Sequence, residues 1–354
     1  MQHTAMHLAL FLRRSFATGL VGAAFCTTPA LAEDWYPIAA IVDGKHTNYV
    51  PAGPASKPWR ICALLPHLRD KYWWGVSWGL ADEAGRQGVK LGTYEAGGYE
   101  HLDTQRKQFA DCLAMKADAI ILAASSQTGL NEQIEQAVKQ GVPVLDLVNG
   151  VSSRAIAARS LVSFADMSAA AARYVLADAR DRRIKVAWFP GPKDAGWVID
   201  AQQGIERTFD ATRVELQHAG FGPPELSRQM SLMRTVLETG SPDYIVGNAV
   251  AVEAAAAYLR AKPGNTARLV SFYATEPVIA LIRRGRVMAA PSDSSVAQAR
   301  IAIDLAVRML DKKPFARRVS PVIEIVDASN IERFDLSKLF PNRSPRFFQQ
   351  ALPQ

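Results

Sequence analysis

From residue 59 onward, short apolar runs alternate with longer stretches whose apolar positions recur at helical spacing. The runs fall at 61–65, 89–95, 119–124, 142–148 and 161–164, then at 186–190, 214–219, 244–249, 269–273, 287–290 and 322–326. Brief apolar runs bounded by turn residues read as buried strands, and apolar positions three and four apart read as helices. The helical stretches between them are 102–115, 130–140 and 167–180, followed by 197–208, 224–237, 251–259, 276–283 and 296–310, with one more starting near Trp74. Repeated strand–helix–strand units predict parallel sheets with right-handed crossovers. So many strands exceed one compact sheet with a single core, so the pattern predicts an α/β chain of two doubly wound parallel-sheet domains.

The stretch 33–58 has no clear period and is punctuated by Pro37, Pro51, Pro54 and Pro58. It is predicted to be an extended N-terminal arm. Ahead of it stand Arg13-Arg14, an apolar stretch at 16–25 and Pro29-Ala30-Leu31-Ala32. These are the charged region, short apolar region and Ala-x-Ala site of a signal peptide, with cleavage expected after Ala32. The apolar region is too short to span a bilayer. The chain is therefore expected to be exported and not to span the membrane. Leu12 stands where a twin-arginine signal has a polar residue, so an ordinary secretory signal is expected.

The full chain carries 41 Lys+Arg against 34 Asp+Glu, a net charge of +7. Removing the two signal arginines leaves +5 (39 minus 34). The basic residues are scattered, with no basic stripe interleaved with aromatics, so no nucleic-acid partner is expected. Without the signal, two cysteines remain, Cys62 and Cys112. An even pair in an exported chain reads as a disulfide, with two buried thiols as the alternative. A bridge closing a loop of that length stabilises by about 4 kcal/mol.

Several chemistries are not supported. No glycine-rich phosphate loop follows the first strand, and Gly97-Gly98 reads as a turn. Gly75 and Gly79, inside the first helix, read as close-packing positions. The dispersed histidines and cysteines have no metal-ligand spacing, so neither metal nor cofactor is expected. Ser125-Ser126 follows a strand but lacks the G-x-S-x-G elbow, and no nucleophile, base and oxyanion set stands out. No catalytic residue is assigned, and a binding role is expected over an enzyme.

The most informative stretch is Asp70-Lys71-Tyr72-Trp73-Trp74, in the loop that leaves the first strand. Ligands of open α/β domains sit at such strand ends. Adjacent aromatics with a carboxylate suit a cage for a cationic or methylated group. The same residues also suit the start of a buried helix, with Asp70 as its cap. Trp74 and Trp78, four apart, read as core. Trp197, after the Gly191-Pro192 turn, could reach the cleft but reads more readily as a surface or helix-start aromatic.

Trp59-Arg60-Ile61-Cys62-Ala63-Leu64, Asp70-Lys71-Tyr72-Trp73 and Glu95-Ala96-Gly97-Gly98-Tyr99 resemble the TorT family of type I periplasmic binding proteins. Pro190-Gly191-Pro192, Val270-Ser271-Phe272-Tyr273, Arg284-Gly285-Arg286-Val287 and Ser292-Asp293 extend the resemblance over both presumed domains, about 59–347. It implies a periplasmic sensor of trimethylamine N-oxide (TMAO) acting with the membrane histidine kinase TorS. It also implies three crossings between the domains, near Phe164, Asp293 and Asp327. Domain one would comprise 59–163 and 294–325, domain two 164–293 and 326–335, and 336–354 would be a tail. Cys62 and Cys112 fall at the family's cysteine positions.

The resemblance selects Tyr72, Trp73, Phe164 and Tyr273 as pocket residues, with Asp70 and Asp293 orienting hydroxyls or balancing a cation. Phe164 stands where the family pattern has tryptophan; it offers a weaker cation–π face and no N–H donor. Two other roles remain open. One is a substrate-binding component of an ABC transporter for a sugar or methylated amine, for which Asn149, Arg159 and Asn248 are strand-end polar candidates. The other is a partner-binding scaffold without a working pocket.

Overall fold

The structure is a computed structural model that describes residues 35–262, 264–341 and 348–353. The expected signal peptide, residues 1–32, lies outside the described residues.

The chain opens with β1 (Ile38–Val42) and β2 (Lys45–Tyr49), then β3 (Arg60–Leu65), α1 (Lys71–Gln87), β4 (Lys90–Glu95), α2 (Leu102–Ala114), β5 (Ala119–Leu122), α3 (Asn131–Lys139), β6 (Val144–Leu147) and β7 (Ala158–Ser160). It continues with α4 (Phe164–Ala179), β8 (Ile184–Phe189), α5 (Gly196–Thr208), β9 (Val214–His218), α6 (Leu226–Thr239), β10 (Tyr244–Gly247), α7 (Ala249–Ala261), β11 (Arg268–Ser271), α8 (Glu276–Arg283) and β12 (Ala289–Ser292). Last come α9 (Ser295–Leu310), β13 (Arg318–Pro321) and β14 (Glu324–Asp327). Two sheets result. The first has the order β2-β1-β13-β7-β6-β5-β3-β4 and the second β14-β12-β11-β10-β8-β9. Pairing is parallel except at β1–β2, β1–β13 and β12–β14. The central strands are buried end to end, as parallel strands covered by helices on both faces must be.

The chain passes between the sheets after β7, after β12 and between β13 and β14. Three particulars differ from the sequence expectation. The run 161–164 is not a strand: β7 ends at Ser160, and Ser163 caps α4, its hydroxyl accepting from Asp166 N. Of the run expected as one strand at 322–326, residues 324–326 fall in β14 of the second sheet, while Val322 and Ile323 link it to β13, which ends at Pro321 in the first. The third crossing therefore lies between Pro321 and Glu324, ahead of Asp327.

The third difference is the arm. Residues 38–49 form a β-hairpin that joins the first sheet through β13. Its turn is Asp43-Gly44, with φ of 46° and 83°, the paired left-handed conformation of a two-residue hairpin turn. The rest of the arm is held by polar side chains rather than apolar period. Asp304, fully buried on α9, accepts from the Tyr49 hydroxyl, from Ala52 N at 2.7 Å, from Gln87 Nε2 at 3.1 Å and from Arg308 Nε at 2.7 Å. Asp311 accepts from Ser56 N at 3.1 Å and Trp59 Nε1 at 2.8 Å. Glu83, also buried, accepts from Trp35 Nε1 at 2.9 Å.

Two glycines set the packing of α1 on its neighbours. A Cβ at Gly79 would lie 2.6 Å from the Val296 carbonyl oxygen, and one at Gly75 the same distance from that of Leu339. Cys62 of β3 and Cys112 of α2 are disulfide-bonded, with Cα atoms 6.1 Å apart. Residues 348–353 return to β4, where Thr93 N donates to Gln350 O at 2.8 Å.

Candidate functional site

The loop after β3 enters α1 through Asp70, whose carboxylate accepts from Trp73 N at 3.1 Å. Such a cap satisfies one of the orphan N–H groups of the first turn, worth about 1 kcal/mol. It also fixes the next residues: Tyr72 and Trp73 emerge from the first turn of α1 toward the gap between the two sheets. There they meet side chains from both lobes. The result is a small pocket, lined by Asp70, Tyr72, Trp73, Tyr99, Asn149, Phe164, Trp197 and Tyr273, with Val148 and Pro224 at its margins.

The cavity walls are aromatic on most sides. The Tyr72 ring lies edge-on to Trp73 at 5.4 Å and to Tyr273 at 5.5 Å. Phe164 lies 5.6 Å from Trp197 and 6.2 Å from Tyr273. Trp197 lies 5.9 Å from Tyr273 and 6.2 Å from Tyr99. Apart from half-buried Tyr99, these rings are nearly fully buried. Val148, a β-branched residue, holds a φ of 63° in this wall, a conformation such residues rarely adopt outside constrained sites.

Hydrogen bonds fix the polar edges. Trp197 Nε1 donates to the Tyr99 hydroxyl at 3.0 Å, which bonds a lobe-two ring to a lobe-one ring. Asn149 stands beside that hydroxyl, with Nδ2 at 3.4 Å. The Tyr72 hydroxyl donates to Asp293. Burial pushes the hydroxyls of Tyr72, Tyr99 and Tyr273 well up, so all three are protonated. His67 packs edge-on to Trp73 and Tyr99, and burial holds its pKa below the ordinary histidine value.

Ion pairs bridge the cleft mouth. Arg69 pairs with Glu225 of lobe two and lies 3.7 Å from Glu100; Lys71 Nζ lies 3.9 Å from Glu276. Gly196 lets the start of α5 close against lobe one, because a Cβ there would lie 2.5 Å from the Asn149 carbonyl oxygen.

Of the residues singled out from sequence, Asp70, Tyr72, Trp73, Phe164 and Tyr273 come together at this cavity. Asp293 does not line it. It sits behind Tyr72, at the second crossing, where it also accepts from Gln298 Nε2 at 2.8 Å. Gln298 in turn accepts from Val162 N at 3.1 Å, which ties the second crossing to the first. Trp197, read as a surface or helix-start aromatic, is buried and forms a cavity wall. Tyr99 closes the Glu95-Ala96-Gly97-Gly98-Tyr99 motif, and its signal is its place in a strand-end loop. Trp74 and Trp78 face elsewhere: Trp74 Nε1 donates to Leu68 O at 2.8 Å, and Arg300 lies over Trp78. Two of the polar candidates for a sugar are engaged structurally. Arg159 pairs with buried Asp146, and Asn248 caps α7 through Ala251 N at 2.9 Å.

Asp293 gives a test of the hinge. Burial pushes its carboxyl up to about 6, against the pull of the Tyr72 and Gln298 hydrogen bonds. A carboxyl with a folded pKa above its unfolded value near 4 binds its proton more tightly when folded. Its contribution to stability is therefore complete below about pH 4 and is lost as pH rises through 6. Asp293→Asn is expected to gain in melting temperature relative to the parent between about pH 4 and 7. A constant difference across thermal melts at stepped pH would exclude Asp293 as the titrating group.

Two doubly wound lobes, three crossings and an aromatic-lined pocket between them define the architecture of a type I periplasmic binding protein. The family described as "Periplasmic binding protein domain" matches residues 62–314. The periplasmic protein TorT of Escherichia coli K12 is 31% identical over 294 residues, covering 82% of this chain and 85% of TorT. The chain belongs to the periplasmic binding protein family and, within it, to the TorT family.

Solved structures give the same picture. An ABC transporter solute-binding protein from Bradyrhizobium sp. BTAi1, with bound bis-tris, is 38% identical with a TM-score of 0.77; the match covers 91% of this chain and all of that one. TorT in its complex with the TorS sensor domain in the absence of ligand is 26% identical with a TM-score of 0.72, over 83% of this chain and all of that one. The same complex with TMAO is 27% identical with a TM-score of 0.68, over 84% and 97%.

Proposed function

We propose that this chain is a periplasmic solute-binding sensor that takes TMAO or a similar small methylated amine between its lobes and signals to the sensor domain of a TorS-like membrane histidine kinase. The observation that carries this reading is the closed aromatic box of Tyr72, Trp73, Tyr99, Phe164, Trp197 and Tyr273. Methyl groups on a positive nitrogen are recognised by aromatic faces, each worth about 0.5–2 kcal/mol. Trp197 adds an indole beside Phe164, where the family pattern has its own tryptophan. A ligand oxygen would find the hydroxyl protons of Tyr99 and Tyr273. The Tyr72 hydroxyl is engaged by Asp293 and serves as a positioned wall.

Ligand that bridges both lobes favours the closed arrangement and so shifts the surface offered to a partner. Membership of the periplasmic binding protein family supports the periplasm as the place of this exchange. The test is calorimetric titration of TMAO into the purified protein, with and without the kinase sensor domain. Saturable heat that changes with the sensor domain is expected. Heat unaffected by it would favour the second reading, a substrate-binding component of an ABC transporter. That reading draws on the likeness to a transporter protein that holds an amine. A sugar fits less well, because Asn149 is the one amide among the described cavity residues and Arg159 is turned away.

A further inference from the structure

The ion pairs at the mouth of the pocket are set up against a local rule. Arg69 and Lys71 stand on either side of Asp70, where α1 begins, and α1 has no acid in its first turn. Basic residues are disfavoured there, because the N-terminal end of the helix macrodipole is positive. Such breaks with local preference gather at functional sites. Their partners on lobe two stand where acids belong: Glu225 is the N-cap residue of α6, and Glu276 lies in the first turn of α8. Each adjoins the pocket wall, Glu225 directly after Pro224 and Glu276 three residues after Tyr273. Both ends of the Arg69–Glu225 pair are braced. Buried Gln229 holds the turn before Glu225, its Nε2 donating to Pro223 O at 2.8 Å and Gly222 O at 3.2 Å. Arg69 N donates to His67 Nδ1 at 3.3 Å. Trp197 Nε1 and Gln127 N also reach across the cleft, the latter to Asp194 O at 3.1 Å, in bonds between neutral groups.

We propose that the Arg69–Glu225 pair, supported by Lys71–Glu276, is an electrostatic gate over the pocket that biases the lobes toward closure and sets how fast a ligand leaves. The second half of this inference rests on the reading that ligand binds between the lobes. Exposed ion pairs add little to folding stability. A bridge made in one lobe arrangement alone nevertheless shifts the population toward that arrangement. The gate also has a signature that the aromatic wall lacks. All four side chains are partly exposed, so salt screens them. The neutral bonds of Trp197 and Gln127 are not screened in this way.

Arg69→Glu isolates the gate, because it sets a third carboxylate beside Glu100 and Glu225. The swap Arg69→Glu/Glu225→Arg restores the attraction. Glu225 makes no side-chain cap bond, so α6 keeps its start in the swap. Small-angle X-ray scattering of the ligand-free proteins reads lobe closure, and stopped-flow fluorescence of the pocket indoles reads TMAO release, with thermal melts to establish folding. In the wild type, raising NaCl from about 0.05 M to about 1 M is expected to open the lobes and to speed release about fivefold. Arg69→Glu is expected to be open at low salt and to release TMAO about tenfold faster, with salt now slowing release. The swap is expected to restore closure and to bring release within about threefold of the wild type. Identical scattering of the wild type and Arg69→Glu at low salt overturns the gate, whatever TMAO does. Faster release that the swap does not rescue overturns it too. Charge-dependent closure in a wild type that binds no TMAO supports the gate and overturns the TMAO reading.

Discussion

Replacing Trp73 by alanine is expected to weaken binding of TMAO or tetramethylammonium at least a hundredfold. Trp73 supplies a face of the cavity and holds Tyr72 in an edge-on pair. A desolvated cation–π face is worth about 2 kcal/mol and an aromatic pair about 1 kcal/mol. Together these make about 3 kcal/mol, or two powers of ten in affinity. The truncation also empties a buried site and costs about 3–5 kcal/mol of stability. Calorimetry must therefore be run below the melting transition, with circular dichroism showing that the fold is retained. A folded variant with unchanged affinity would remove the cage as the binding site. Trp197→Phe is the natural companion, because it keeps a ring and deletes only the bond to Tyr99.

The second large effect belongs to stability. Asp304→Ala is expected to lower stability by about 3–5 kcal/mol, because it strands the groups that converge on a fully buried carboxylate. The Tyr49 hydroxyl, Ala52 N, Gln87 and Arg308 all lose their acceptor. Burial and the Asp304 charge keep the Tyr49 hydroxyl protonated and committed to this acceptor. The site is nine residues beyond the start of α9, about 13 Å along the helix from the hinge. Ligand affinity is accordingly expected to stay within about threefold at temperatures where the variant is folded. Urea unfolding with and without ligand measures both quantities. A change of under about 1 kcal/mol would mean the arm is held by its strand pairing alone.

Much of the architecture is legible along the chain because βα alternation is a local signal. Most buried strands announce themselves as short apolar runs, though β7 and β13 do not, and helix α8 spans the very residues its period marks. The hairpin β1–β2 was legible too, in Asp43-Gly44 between Val42 and Lys45, but the prolines around it obscured it. The remainder of the arm is not readable locally. Its backbone is held by Asp304 and Asp311, some 250 residues away in sequence.

The site divides in the same way. Tyr72 and Trp73 are visible as aromatics at a strand end. Phe164 and Tyr273 emerge only through family likeness, since each also suits a core. Trp197 carries no signal that distinguishes it from a helix-start residue. Its role comes from closure of one lobe on the other, which places its N–H against Tyr99 across 98 residues. Asp293 shows the converse. The sequence places it at a crossing beside the site, but the fold directs it to the back of Tyr72.

The return of residues 348–353 to β4 has a consequence for how the molecule behaves among its own kind. An open sheet edge is a template for strands of other copies. In the first sheet, one edge is shielded by the pairing of Thr93 with Gln350, and Gln350 Nε2 also reaches the Leu91 carbonyl at 2.9 Å. The opposite edge, β2, presents exposed Lys45, His46, Thr47 and Asn48. Neither border of the sheet thus offers a bare apolar strand for edge-to-edge aggregation, and on one side the chain's own last residues provide that protection.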